Sequence, residues 1–217
     1  MSAETTTAPP VERELIYVAD PMCSWCWGFS PVIARVAERI RGHAALRVLP
    51  GGLRTDTQMP LSAFEVDDIM HHWQEVARHS GQPFDFSQPL TTDYVYNTEA
   101  SCRALSVMIR LRPLCGLDYL HSLQQAFYVG RRDLKDPEVL ADYAQTFGLA
   151  RTEFIDRWQS RQAVEALGED ISFVRRCGIE GYPSVLLRSG PRLQRLNIGY
   201  RPYEVLEPHL IRWIAAS

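Results

Sequence analysis

Two cysteines separated by two residues stand where an apolar run gives way to a helical one. That junction constrains the chain more than any other feature. The stretch is Asp20-Pro21-Met22-Cys23-Ser24-Trp25-Cys26-Trp27-Gly28-Phe29. Before it, Glu14 to Ala19 is short, mostly apolar and biased to β-branched and aromatic residues, which is the pattern of a buried parallel strand. After it, Phe29, Ile33, Val36 and Ile40 recur at three- and four-residue spacing, the apolar stripe of a helix. A thiol at the start of such a helix meets unpaired N–H groups and the positive end of the helix dipole, and both favour the nucleophilic thiolate. In a helical reading Cys26 lies one turn further on, within reach of the first sulfur. Cys23 is therefore the candidate nucleophile and Cys26 the candidate resolving cysteine. The same spacing also suits half of a zinc site or two structural cysteines. A four-ligand zinc site needs a second cysteine pair or a histidine pair. Cys102, Cys115 and Cys177 stand singly and far apart, so no metal is expected.

A chain of 217 residues that is 46% hydrophobic allows one large domain, or one domain carrying an insertion, with a proper core. The net charge of −3 lacks the basic excess of a nucleic-acid surface, so no nucleic-acid partner is expected. No stretch approaches the ~18 apolar residues of a membrane span. Residues 1–10 are polar and Thr-rich and end in Pro-Pro; they read as a disordered lead-in, not a secretory signal. The expectation is a soluble, cytoplasmic protein with no membrane partner. Its five cysteines are odd in number and lack the spacing of a disulfide framework. In a reducing compartment a CxxC is catalytic more often than structural.

Asp20-Pro21 stops the first strand and Gly42 ends the helix, which carries Pro31 inside it and is expected to kink there. Ala44 to Leu49 reads as a second strand, broken by Pro50-Gly51-Gly52. This β-α-β opening predicts a parallel pair with a right-handed crossover. From Leu53 to about Ser160 no strand pattern occurs. Helices are predicted over Leu61–Ser80, from a cap at Thr98 to Pro113, over Gly116–Tyr128, from the Asp136-Pro137 start to Gly148, and over Thr152–Trp158. From Arg161 the mixed pattern returns. Val164, Leu167, Ile171 and Val174 form a helical stripe ending at Gly178. Val185-Leu186-Leu187 and Leu193–Ile198 read as an antiparallel hairpin across Ser189-Gly190-Pro191, and Pro202–Trp213 as a last helix. Two strands and two helices are too little sheet to stand alone. One sheet shared by both ends of the chain is the economical solution. The expected α/β organisation has residues 11–52 and 161–217 as two parts of one domain, with 53–160 as an all-helical insertion.

That order, with a CxxC at the first βα junction and Gly181-Tyr182-Pro183 before the third strand, resembles the DsbA family, whose thioredoxin-like fold carries a helical insertion. The stretch around Cys23 and the segment Asn97-Thr98-Glu99-Ala100-Ser101-Cys102-Arg103-Ala104 resemble its FrnE-like branch, whose members are often called predicted protein-disulfide isomerases. The similarity covers nearly the whole chain from about Arg13. It implies a thiol–disulfide oxidoreductase or isomerase with Cys23 and Cys26 as the redox-active disulfide. It also implies Pro183 as a cis proline facing them, and Trp25, Tyr182 and Pro183 as substrate contacts. An extended substrate could pair with the Tyr182 backbone while its sulfur is attacked. Implied partners are protein thiols and disulfides, with glutathione or a thioredoxin-like reductant resetting the site. No bound cofactor is needed, because the chain carries its own dithiol. Relatives commonly place a buried acid six residues before the first cysteine. Here that position is Tyr17, so no acid is assigned. Ser24-Trp25 offers no histidine to stabilise a thiolate, which leaves the direction of electron flow open.

Two other functions fit the same fold. Glutathione-dependent isomerases or transferases of small aromatic molecules resemble it but typically carry a serine in place of the thiol pair. A non-catalytic client-binding module would use the apolar surface around Trp25. Among the other residues, Cys102 and Cys177 read as buried packing. Pairing of Cys102 with Cys115 is disfavoured, since about 15 Å of helix would separate Cys102 from Arg112 while a disulfide needs Cα atoms within about 7 Å. His71, His72 and His79 read as a solvated helix face. Trp27 and Phe29 are assigned to the core and Trp25 to an exposed contact. Arg103 either orients something near the site or is a surface charge.

Overall fold

Arg13–Ala19 forms strand β1 in a computed structural model that describes residues 13–216. The lead-in expected over residues 1–10 lies outside the described residues. β1 is an inner strand of a four-stranded sheet of order β2-β1-β3-β4. Its residues from Leu15 to Ala19 are all buried, without alternation, because both faces of the strand are covered. Leu15 and Tyr17 enter the main core with Phe29, Ile33 and Val36 of the following helix, while Ile16 and Val18 pack on the other face with Val174 and Ile179.

Helix α1, Ser24–Ile40, carries the chain to β2, Ala45–Pro50, which pairs parallel to β1. On the other side of β1 lies β3, Ser184–Ser189, antiparallel, with Val18 opposite Ser184. β4, Arg192–Ile198, completes the hairpin at the edge. The two ends of the chain thus share one sheet, as the element order predicts.

Between β2 and β3 the regular structure is helical: α2 (Ala63–Ser80), α3 (Glu99–Leu111), a 3-10 turn, α4 (Gly116–Tyr128), α5 (Pro137–Thr146), α6 (Arg151–Gln159) and α7 (Arg161–Arg176). A last helix, α8, runs over Tyr203–Ala215. Local chemistry sets several of the starts. Ser62 and Glu65 form a reciprocal capping box on α2, and Asp136 accepts from the Glu138 N–H ahead of the first-turn Pro137 in α5.

Three local features add to or change the expectations. α1 continues through Pro31, whose missing N–H leaves the Trp27 carbonyl without its usual partner; Gln82 Nε2 donates to it instead, at 3.2 Å. Thr98 does precede α3 but makes no cap; its hydroxyl accepts from the Arg54 N–H at 3.1 Å and ties the helix to the loop after β2. The inner stripe of α7 is Ala163, Leu167, Asp170 and Val174, and Val164 is 50% exposed. Asp170 lies inside because it accepts from Ser106 at 2.7 Å and from Arg110 at 2.8 and 3.0 Å, joining α7 to α3.

Gly28 controls how α2 reaches the site. A Cβ there would stand 2.7 Å from Val76 Cγ1, so only glycine lets α1 and α2 approach this closely. α2 thereby overhangs the first turn of α1.

Candidate active site

Cys23 is the cap residue of α1, in extended conformation. Its N–H donates to the Asp20 carbonyl at 3.1 Å and its carbonyl accepts from Trp27 at 3.0 Å, which fixes it between the end of β1 and the helix. Cys23 is 7% exposed and Cys26 is 0% exposed. The two sulfurs therefore differ in access. Cys23 lines a cleft of about 250 Å³, and Cys26 lies behind it in the core.

The opposite wall is Tyr182, joined to Pro183 by a cis peptide bond. The Cys23 thiol points at the Tyr182 carbonyl, 3.9 Å away across 159 residues of sequence. The β1–β3 register makes this contact possible, since Val18 and Ser184 are partners. The Tyr182 hydroxyl donates to the Gly51 carbonyl, and the ring occupies the space where a Cβ of residue 51 would lie, 2.4 Å from Cε1. Burial, then the charge of Asp20, pushes the Tyr182 hydroxyl up to about 12. The remaining walls come from the loop after β2 through Arg54, from α2 through His72 and Trp73, and from Tyr96.

Burial pushes the Cys26 thiol well above its ordinary range, with the hydrogen bond and charge of Cys23 adding to the effect. It is therefore a neutral thiol near pH 7. Tyr17, at the position where an acid is usual, is fully buried against Phe29, with its hydroxyl beside Cys26. Burial, and then the two sulfurs, push that hydroxyl well up, so it is no substitute for a carboxylate.

The buried acid is Asp20, whose only local signal in the sequence is that of a strand stop before Pro21. It is wholly enclosed. One oxygen accepts from the Met22 N–H at 2.8 Å; the other accepts from the Leu53 N–H at 2.8 Å and from the Cys102 thiol at 3.1 Å. Burial raises its pKa, and these donors together with Thr98 act against the rise. Cys102 is thus buried, as expected, but it is a hydrogen-bond donor and not merely apolar filling. The one advance signal was the family-like segment containing it.

Other candidates fall as follows. Trp25 is half-buried rather than exposed, packed between the rings of His79 and Tyr200 at 5.9 and 5.7 Å, and it lines the cleft beside Cys23. Trp27 and Phe29 are core residues, and Trp27 donates to the Pro83 carbonyl at 2.9 Å. His71, His72 and His79 are exposed, but His72 borders the cleft. No cluster able to hold a metal occurs among the described residues. Arg103 pairs with Glu99 and stacks on Trp158, away from the cleft. Cys115 and Cys177 are half-buried outside the site, and all five cysteines are free thiols.

A family model described as "Thioredoxin" matches residues 16–205. A crystal structure of a candidate protein disulfide isomerase from Nitrosomonas europaea is 33% identical, covering 94% of this chain and 98% of that one with a TM-score of 0.88. The cytosolic disulfide reductase DsbM from Pseudomonas aeruginosa, solved with GSH, is 25% identical over 92% of this chain and 98% of that one, with a TM-score of 0.73. Among curated proteins, the ClpXP adapter protein SpxH of Bacillus subtilis (strain 168) is 24% identical over 183 residues, which is 82% of this chain and 58% of that protein. The chain thus spans under two thirds of that relative's length.

Proposed function

The chain belongs to the thioredoxin family, and from that premise we propose that it is a thiol–disulfide oxidoreductase in which Cys23 attacks and Cys26 resolves. The observation that carries this reading is the unequal access of the two sulfurs. Cys23 opens on the cleft beside the Tyr182 carbonyl, while Cys26 is enclosed.

The Cys23 thiolate attacks one sulfur of a substrate disulfide. One Cys23–substrate bond forms, the substrate disulfide breaks, and a thiolate leaves. Cys26 then gives up its proton and attacks Cys23, forming the Cys23–Cys26 disulfide and releasing the second substrate thiolate. Two electrons have passed to the substrate, and the two released thiolates take up protons. Two molecules of a small thiol restore the dithiol and become a disulfide. The DsbM structure holds GSH, and glutathione is the reductant we propose for this step. The same relative is named cytosolic, in keeping with a dithiol working in a reducing compartment.

The test is a pair of variants. Cys23→Ser should abolish reduction of a peptide disulfide, and Cys26→Ser should accumulate a mixed disulfide with the substrate. Full activity in Cys23→Ser would refute the assignment. A second reading follows from the SpxH relatives, named as adapters: the cleft would hold a client segment without turnover. Client binding that is unchanged with serine at both positions, together with no peptide-disulfide reduction, would favour it.

A further inference from the structure

The end of β1 farthest from the dithiol borders a second cavity. β1 starts at Arg13 and reaches the redox loop only after Ala19, roughly 20 Å further on. The cavity has a volume of about 530 Å³, against about 250 Å³ for the redox cleft, and shares no lining residue with it. Sheet and helix build it together. Arg13 stands opposite Ser189, and Ser189 opposite Arg192, so these three residues form a row across β1, β3 and β4. α8 covers the row. His209, Arg212, Trp213 and Ala216 recur on one helix face at three- and four-residue spacing, and all line the cavity. The Trp213 indole donates to Ser189 Oγ at 2.8 Å and ties the helix to the sheet.

The chemistry of this groove is one-sided. Arg13, Arg192, Arg195 and Arg212 line it and no Asp or Glu does, in a chain whose acids outnumber its Lys and Arg by 26 to 23. None of the four arginines pairs with a carboxylate among the described residues. On the other face of the same strands Arg188 does have an acid, Glu14, at 3.1 Å. Arg13 Nε is enclosed without a hydrogen-bond partner. Arg212 lies 3.1 Å from His209 Nδ1; a guanidinium only donates, so the other ring nitrogen of His209 carries the hydrogen. Ser189 Oγ accepts from Trp213 and keeps its own hydrogen to donate. Protection of an edge strand would explain arginines on β4, but β1 is an inner strand and Arg212 stands on a helix. We propose that the groove is a binding site for a small molecule carrying two adjacent phosphoryl groups, a nucleoside diphosphate or inorganic pyrophosphate. Guanidinium forks take phosphate oxygens two at a time, and the cavity has the size of a small-molecule site. The site stands independently of the oxidoreductase function.

The experiment is calorimetric titration of the full chain with pyrophosphate, ADP and orthophosphate at about 0.15 M NaCl. Pyrophosphate should bind at least about tenfold more tightly than orthophosphate. ADP that matches pyrophosphate assigns the site to the phosphoryl groups alone, and tighter ADP adds the nucleoside to the ligand. Arg13→Gln and Arg212→Gln should each weaken pyrophosphate binding by about tenfold. Arg161→Gln removes the same charge from α7 and should stay within about twofold of the wild type. Arg212 is exposed, so its replacement leaves the packing in place, and thermal melts check this for each variant. Alkylation of Cys23 at the wild-type rate shows that the redox end is undisturbed. Equal weakening by Arg161→Gln, or orthophosphate that binds as tightly as pyrophosphate, means diffuse surface charge and overturns the proposal. A wild-type chain that takes up neither pyrophosphate nor ADP overturns it as well. A glutamate-rich peptide that binds about tenfold more tightly than pyrophosphate and displaces it makes the groove a protein-docking surface and defeats the small-ligand assignment.

Discussion

Residue 26 and residue 23 are three positions apart and chemically unlike. Cys26 is enclosed, and burial holds it as a neutral thiol; Cys23 lines the cleft. Brief treatment of the reduced protein with iodoacetamide at pH 7 should therefore label Cys23 and spare Cys26, as peptide mass spectrometry would show. Labelling of Cys26 at the same rate would contradict the burial. Residue 51 makes a second case. Alanine there collides with the Tyr182 ring, because its Cβ would lie 2.4 Å from Cε1. Displacing that wall should lower kcat/KM for a peptide disulfide by about tenfold or more, while Cys23 still alkylates at the wild-type rate. The sequence made the dithiol legible because two thiols at a strand–helix junction form a local pattern. Asp20 and Cys102 were not legible in the same way. Their contact spans 82 residues, and an Asp before a Pro has an adequate local explanation as a strand stop.

At the scale of elements, α2, α4 and α5 follow their sequence signals closely, because caps, prolines and apolar spacing all act within a few residues. α7 departs from its signal. An apolar stripe headed by Val164 is plausible from periodicity, yet the buried face carries Asp170. A buried carboxylate is tolerated only with partners, and those partners, Ser106 and Arg110, sit on α3. Asp170→Ala strips the acceptor from both. It should cost about 2 kcal/mol and lower Tm by roughly 4–8 °C for a chain of this size. Peptide-disulfide reduction at 25 °C should be unchanged, since neither partner lines the cleft. A melt indistinguishable from the wild type would show that the α3–α7 link contributes little. The proline inside α1 teaches a related lesson. Pro31 predicts the loss of one backbone donor inside α1, and a side chain from the segment after α2 supplies a donor in its place. No window on α1 alone could show that Gln82 would be there.

For the whole molecule the decisive feature is that β1 pairs with β2 on one side and with β3 on the other. The economy of sheet made this arrangement readable from the sequence: neither end of the chain carries enough strands to stand alone. A chain stopped at Ser160 retains both cysteines and five helices of the inserted block, but it lacks α7 and β1 loses its antiparallel partner. Such a fragment should show no cooperative thermal transition by circular dichroism. A sharp melt would mean that the sheet is not the organising unit. The same geometry has a consequence during synthesis. Cys23 and Cys26 leave the ribosome with the first strand and helix, whereas Tyr182 follows 159 residues later. Until that late segment zips onto β1, the nascent chain carries a sulfur pair without the wall that orients a substrate. Productive exchange is thereby postponed until the segment carrying Tyr182 has been made and paired.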